Sequence, residues 1–442
     1  RVGPLPWFGL SLTALFIVVS FIYPFALYDS GVDASLTPFG ATVFWIHALF
    51  CAMALLVAVA MRTLAFTSVQ LFHWIFYVVA AREQFIFQYD RLYEFTEIVE
   101  RGLIYILIYE LVLFFVFIAF SATNSNEKNL VDNNRELKNS LFLTIAISLC
   151  FIICLVLLLM FGATTFHSRE AFGTRAAQFF PSVSVLFFFQ YFRPLLYFIP
   201  LFVLRSQLTL LNTRKENVPV ALVIFAFITT LMAYLLNSPL NSPRFHAGAI
   251  VVGTTMLFVG PRRLFTLLTV VIVGLFVAPI FHAFRNQYTL DHRSIDFGEI
   301  GLQQLRSFDT EMALQVFYAL RYVEEIGTYH GRNLLSGILF FIPDEIWSGK
   351  VPNSGADVMA AVGWQIRAGY PWNSSTPLVA EGLLAFGNLS GVLLVAVIAG
   401  LVVRLLDWAP VPSRAAHTGL YPRAAVLAFS PVLLIFVSRG TL

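Results

Sequence analysis

Along this chain apolar residues do not alternate with polar ones but gather in long runs, recurring from Trp7 to Val437. A helix needs about 17 to 25 such residues to cross the hydrocarbon layer of a bilayer. The candidates are Trp7–Tyr28, Pro38–Met61, Leu64–Ala81, Gly102–Ser121, Leu141–Phe166, Ser182–Leu204, Val218–Leu236, Ala247–Gly260, Leu264–Phe284, Pro377–Leu406 and Ala424–Val437. Ala247–Gly260, of 14 residues, is the weakest, and it counts as a span because the charged turn Pro261-Arg262-Arg263 makes sense only between two spans. The first run is too long for a signal-peptide core and lacks a small-residue cleavage site. The pattern predicts an all-α polytopic membrane protein with about eleven transmembrane helices. Residues 1–284 hold helices one to nine, 285–376 form one large loop, and 377–442 hold the last two.

Loop charge orients the spans. With the amino end inside, the first loop, Asp29–Thr37, lies outside and holds two Asp and no basic residue. The inside loops then carry Arg62; Lys128, Arg135 and Lys138; Arg205, Arg214 and Lys215; Arg262 and Arg263; and Arg404, Arg414 and Arg423. Outside segments carry fewer basic residues, and the one at Ala81–Arg101 is balanced by Glu83, Asp90, Glu94, Glu97 and Glu100. This is the positive-inside bias. It leaves the long hydrophilic segment Arg285–Thr376 outside. Within it, Ile300, Leu305, Phe308, Met312, Phe317, Leu320 and Val323 recur at helical spacing, which predicts a helix over Phe297–Glu325 ended by Gly327 and Gly331. Leu334–Ile342 is apolar but too short to span and reads as a re-entrant or interfacial segment ending at Pro343.

Composition narrows the function classes. The chain is 58% hydrophobic and 12% charged, against about 25% charged in soluble domains. That excludes a soluble enzyme on a single anchor, and it excludes disorder. The 28 basic residues against 25 acidic ones are too balanced to indicate a nucleic-acid partner. Cys51, Cys150 and Cys154 all lie inside apolar runs, so none can staple an exposed loop, and no metal-ligand spacing is expected. There is no phosphate-cradling glycine loop and no H-E-x-x-H motif. No inverted repeat or pair of broken helices points to a secondary transporter.

Charge within the spans is costly and needs a reason. Glu110 and Arg193 stand at similar expected depth, which predicts an intramembrane pair. The pair either fixes helix packing or holds a lipid phosphate. His47 and His73 read as satisfied core residues. At the outer ends of spans, Arg244 follows the Asn237–Pro243 turn, Arg285 closes the ninth span and Arg439 closes the last. Arginine presents a planar fork that matches phosphate oxygens in pairs; interfacial snorkelling is the plainer reading of each. Asp309 and Glu311 lie on the loop helix, His330 and Arg332 at its end, and Asp344-Glu345 after the apolar segment. Glu381 stands alone among apolar neighbours, where burial would raise its pKa and make it a proton acceptor. Trp347, Trp364 and Trp372 suit either sugar stacking or interfacial anchoring. Asn373-Ser374-Ser375 matches a glycosylation sequon.

The chain resembles the Wzy-type polymerases of bacterial O-antigen and related oligosaccharide repeat units, including enterobacterial common antigen polymerases, most strongly from about Asn237 to Asp407. The resemblance rests on Ser242-Pro243-Arg244-Phe245 opening a span, Phe308-Asp309 in the long loop, and Ile342-Pro343 followed by Trp347, Lys350, Pro352 and Ser354. It continues with Pro377 through Glu381 to Phe386-Gly387-Asn388, and ends with Ser438-Arg439-Gly440. Spans one to six match only in hydropathy. The resemblance implies a GT-C-like glycosyltransferase of the bacterial inner membrane, with a structured periplasmic loop. Its substrates would be undecaprenyl-diphosphate-linked oligosaccharides within membrane lipid, and a polysaccharide chain-length regulator is the partner protein it suggests. The donor is already activated, so no cofactor, nucleotide or metal is implied. A diphosphate leaving group calls for fixed cations, which gives Arg244 and Arg285, supported by Arg332 and Arg439. A sugar hydroxyl gains from a proton acceptor, which gives Glu381 and Asp309 ahead of Glu311 and His330. An O-antigen ligase and a lipid-linked oligosaccharide flippase remain as alternatives.

Overall fold

The structure, a computed structural model, describes residues 36–61, 63–87, 95–122, 140–162, 169–180, 183–214, 220–238, 241, 312–339, 342, 346–351, 354–361 and 376–408, with scattered positions over 250–257. The first, ninth and eleventh expected spans lie outside these residues, as do Arg244, Arg285, Asp309, Glu311 and Arg439. All the regular structure described is helical. Among the described residues four helices are long and apolar enough to cross a membrane, and this is a helical membrane protein.

The helices are α1 (Pro38–Ala60), α2 (Leu64–His73), α3 (Ala81–Phe87), α4 (Thr96–Ala122), α5 (Ser140–Phe161), α6 (Arg169–Phe179), α7 (Val183–Arg214) and α8 (Val220–Leu236). They continue with α9 (Met312–Glu325), α10 (Arg332–Ile338), α11 (Ser354–Ala361), α12 (Leu378–Phe386) and α13 (Leu389–Trp408). Between α2 and α3 the helix continues through a π-helical stretch, Trp74–Ala80. Helices α1, α4, α5, α7 and α8 fall on expected spans. Helix α6 is too short and too polar to read as a span, although Phe172, Ala176 and Phe179 lie at helical spacing on it. The lipid-facing character is plain on α5, where Ile145, Leu149, Ile152 and Leu159 are exposed, and on α8, where Val220, Ile224, Phe227 and Leu231 are. Such contiguous apolar surface is not left to water by soluble monomers.

Buried side chains form two main clusters. One joins α1, α2, the π-helical stretch, α4, α13 and the loop helices α9, α11 and α12; the other joins α5, α6, α7 and α8. In the first, α13 lies along α4, with Gly400 so close that an added Cβ would sit 3.0 Å from the Leu113 carbonyl. Small residues allow such approaches between membrane helices. Helix α9 lies over the start of α4, where a Cβ at Gly102 would fall 2.2 Å from the Phe317 ring.

Polar contacts fix which helix ends lie together. Asp407, at the end of α13, accepts the Ala65 and Phe66 amides at 2.8 and 2.9 Å, capping α2, whose own Thr63 makes no side-chain cap. Arg404 donates to the Phe120 carbonyl near the end of α4. At the other end of α4, about 40 Å away along 27 residues, Glu100 accepts from Thr37 just before α1, and Arg101 pairs with Glu324 of α9. The loop helices therefore gather at the end where α1 and α4 begin, opposite Asp407.

The tenth expected span, Pro377–Leu406, is not one helix. Gly387 turns left-handed (φ 74°) and ends α12, and Asn388 accepts from the amide and hydroxyl of Ser390 at the start of α13. Helix α12 then folds back on α13. A Cβ at Gly391 would lie 2.0 Å from the Gly382 carbonyl oxygen, whereas a straight helix would hold those residues about 13 Å apart.

Candidate functional site

The fold-back decides where Glu381 points. Helix α12 runs antiparallel to the start of α13, so its first turn lies further along α13 than its last. Glu381, in that first turn, is 2% exposed. Its environment is polar where it counts. Asn333 of α10 donates its amide to Glu381 Oε2 at 2.7 Å and to the Glu381 backbone carbonyl at 2.8 Å. Ser354, the first residue of α11, donates its hydroxyl to Oε1 at 2.5 Å. Both carboxylate oxygens thus receive a neutral donor, from two separate loop helices.

The turn before α10 holds this arrangement in place. Tyr329 and Gly331 amides donate to the Leu384 and Ala385 carbonyls at 2.8 and 3.0 Å, which are among the acceptors left open at the end of α12. His330 and Gly331 both have positive φ, 50° and 81°, and Gly331 packs against the Phe386 ring. Ser336 accepts the Val351 amide at 2.9 Å, tying α10 to the segment before α11. The Tyr329 hydroxyl donates to Asp357 of α11 at 2.7 Å, and its ring stacks on Tyr322. Partial burial, then the hydrogen bonds with Tyr322 and Asp357, push the Tyr329 phenol well above its ordinary pKa, so it remains a donor at any working pH. Among the described residues, Asn333 Oδ1 and Thr376 Oγ1, just ahead of α12, are buried without a hydrogen-bond partner. Buried polar atoms are nearly always partnered, and these two are suited to a hydroxyl-bearing ligand.

Among the described loop-end residues singled out from sequence, Glu381 is buried among polar partners, and His330 and Arg332 are not. His330 and Arg332 are exposed at the start of α10; His330 Nδ1 lies 3.2 Å from the Thr328 hydroxyl. The neighbour Asn333 takes the inward place. Asn333 and Ser336 carried no sequence signal of their own, being polar residues in a short apolar stretch. Ser354 figured only as part of the family pattern.

The expected Glu110–Arg193 pair does not form. Glu110 Oε1 lies 2.5 Å from His73 Nδ1, and Gln70 donates to Oε2 at 3.4 Å. Arg193 belongs to the second cluster, where it donates to the Leu236 carbonyl at 2.9 Å and to Asn241 Oδ1 at 3.4 Å, beneath the Phe172 and Phe189 rings. Asn237 returns a hydrogen bond to the Arg193 carbonyl at 3.0 Å. Equal depth was a sound inference for neither partner, because depth leaves the position around the bundle open. His47 and His73 are buried as expected, but not as bland core residues. His47 Nε2 lies 3.2 Å from Cys51 Sγ, and the His47, Cys51 and Glu110 donor atoms all lie within 4.8 Å of one another. The expectation of no metal-ligand spacing is overturned here, since a His and a Cys one helical turn apart share a face.

Compared with protein-family models, with curated proteins and with solved structures, the chain finds no match.

Proposed function

We propose that the protein is a glycosyltransferase that joins undecaprenyl-diphosphate-linked oligosaccharide repeat units into O-antigen or a related surface polysaccharide. The observation that carries the reading is the Glu381 carboxylate, buried at the loop-bearing end of the bundle and held by Asn333 and Ser354. The charge bias of the loops makes that end the outer, periplasmic one, where lipid-linked repeat units are polymerised. The family pattern resembled by the chain runs through the same residues, Ser354 and Pro377 to Asn388.

In this reading Glu381 accepts the proton of the attacking sugar hydroxyl as the new glycosidic bond forms and the bond to the diphosphate breaks. Asn333 and Ser354 keep the carboxylate oriented, and the open acceptors Asn333 Oδ1 and Thr376 Oγ1 receive donor hydroxyls of the sugar. Arg244 and Arg285, supported by Arg439 and Arg332, balance the charge on the departing diphosphate. Asp309, Glu311 and His330 serve as secondary proton carriers. Neither Arg193 nor Glu110 has a part in this chemistry.

The test is acceptor choice. Purified protein given lipid-linked repeat units alone is expected to make a ladder of lengths. Transfer that occurs only after lipid A core is added would mean a ligase. Movement of the units across the bilayer without any new bond would mean a flippase.

A further inference from the structure

Below the loop helices, the first cluster contains a group of donors that the glycosyl-transfer reading does not use. His47 and Cys51 stand one turn apart on α1, and Glu110 faces them from α4. Each is at most 1% exposed. The His47 Nε2 to Cys51 Sγ separation is 3.2 Å, close to the roughly 3.5 Å between nitrogen and sulfur on one tetrahedral zinc. The Glu110 carboxylate completes a set whose donor atoms lie within 4.8 Å of one another.

We propose that His47, Cys51 and Glu110 form a buried site for a divalent transition ion, zinc above all, that ties α1 to α4. The donor set of imidazole, thiolate and carboxylate suits zinc better than magnesium or calcium, which take oxygen. Charge favours it as well. A thiolate and a carboxylate together cancel the two positive charges of the ion, so the occupied site is neutral within the bundle, where a net charge is costly.

The surroundings have what such a site needs. Ligating carboxylates have close polar neighbours: His73 Nδ1 lies 2.5 Å from Glu110 Oε1, and Gln70 donates to Oε2 at 3.4 Å. Among the described residues, Gln70 Oε1 and His73 Nε2 beside this group are also buried without a hydrogen-bond partner. The helix leaves α geometry for π immediately after His73. The π-helical stretch thus adjoins the residue that faces Glu110, and π-helical insertions recur at functional sites. The three helices also support α9 and, through α13, the Glu381 hairpin, so an ion here would stiffen the scaffold beneath it.

The full chain, purified in detergent without chelator from cells given zinc, is expected to carry about one zinc per chain by elemental mass spectrometry. Cys51→Ser exchanges sulfur for oxygen at nearly constant volume, and it should lower that content by at least about tenfold. Cys154→Ser, in the other cluster, should leave it unchanged. Cobalt loaded in place of zinc should give a thiolate charge-transfer absorption that Cys51→Ser lacks. His47→Ala should match Cys51→Ser; if it fails to fold, Cys51→Ser decides alone. Zinc no higher in the parent than in Cys51→Ser, or zinc and the cobalt band both surviving that change, overturns the proposal.

Discussion

Glu381 is buried with an amide on one oxygen and a hydroxyl on the other, and each of those donors is itself fixed on a short helix. Removing either leaves a buried carboxylate short of a partner, which costs about 1.5 to 3 kcal/mol for a hydrogen bond to a charged group. Asn333→Ala and Ser354→Ala are therefore expected to lower the thermal midpoint and to slow elongation, Asn333→Ala more, since it loses two bonds. Thermal unfolding in detergent checks the first effect and product length the second. Tyr329 gives a pH signature. Its phenol is raised in the folded protein, so its contribution is present in full below the ordinary phenol value of about 10 and is lost as pH rises above it. The wild type should lose midpoint more steeply between pH 9.5 and 11 than Tyr329→Phe, which has no proton to lose (about 10 being the unfolded value). Parallel slopes would contradict the assignment. At this level the sequence was most readable for isolated charge in apolar surroundings: Glu381, Glu110 and Arg193 are all buried. Their partners were not readable. Asn333, His73 and Asn241 are 48, 37 and 48 positions away respectively, and no local spacing links them.

Helix α12 exists as a separate element because Gly387 stops it and Asn388 starts the next. Both are ordinary stop and start signals, but they sit inside a continuous apolar run, where hydropathy alone joins the two helices. The hairpin depends on Gly391 lying against the Gly382 carbonyl. Gly391→Ala would set a methyl 2.0 Å from that oxygen and is expected to cost about 3 kcal/mol or slightly less as an overpacked contact. It should also remove activity, because Glu381 moves with α12. A variant with unchanged midpoint and activity would mean the hairpin is not as close as described. At the other end of α13, Asp407→Ala should cost about 1 kcal/mol by leaving two α2 amides uncapped, with no effect on the acceptor site. Helix existence was legible wherever an apolar run was long, as in α1, which begins at the expected Pro38. The loop helix α9 was legible from its spacing, and its expected end is met at Glu325 before Gly327. The polar α6 and the π-helical stretch were not, since one is too short and polar to register in hydropathy and the other depends on tertiary packing.

As a whole, the molecule joins a membrane bundle to a set of loop helices at one of its ends. Asp407, Arg404 and the start of α2 lie together at the end opposite the loop helices. The helical membrane class was legible, with α1, α4, α5, α7 and α8 on expected spans, because bilayer thickness imposes a length on every crossing helix. The division into two packed clusters was not, since hydropathy says where a helix is and not which neighbour it takes. Arg244→Ala and Arg285→Ala should leave a folded protein that makes no long polymer; normal chain length in both would remove these arginines from the diphosphate role. The central claim is that Glu381 takes the proton in glycosidic bond formation. Gln at that position keeps the size and can still meet Asn333 and Ser354, so the protein should fold while elongation of purified lipid-linked repeat units falls by at least about a hundredfold. A Glu381→Gln protein that builds the same ladder at the same rate as the wild type would contradict the account.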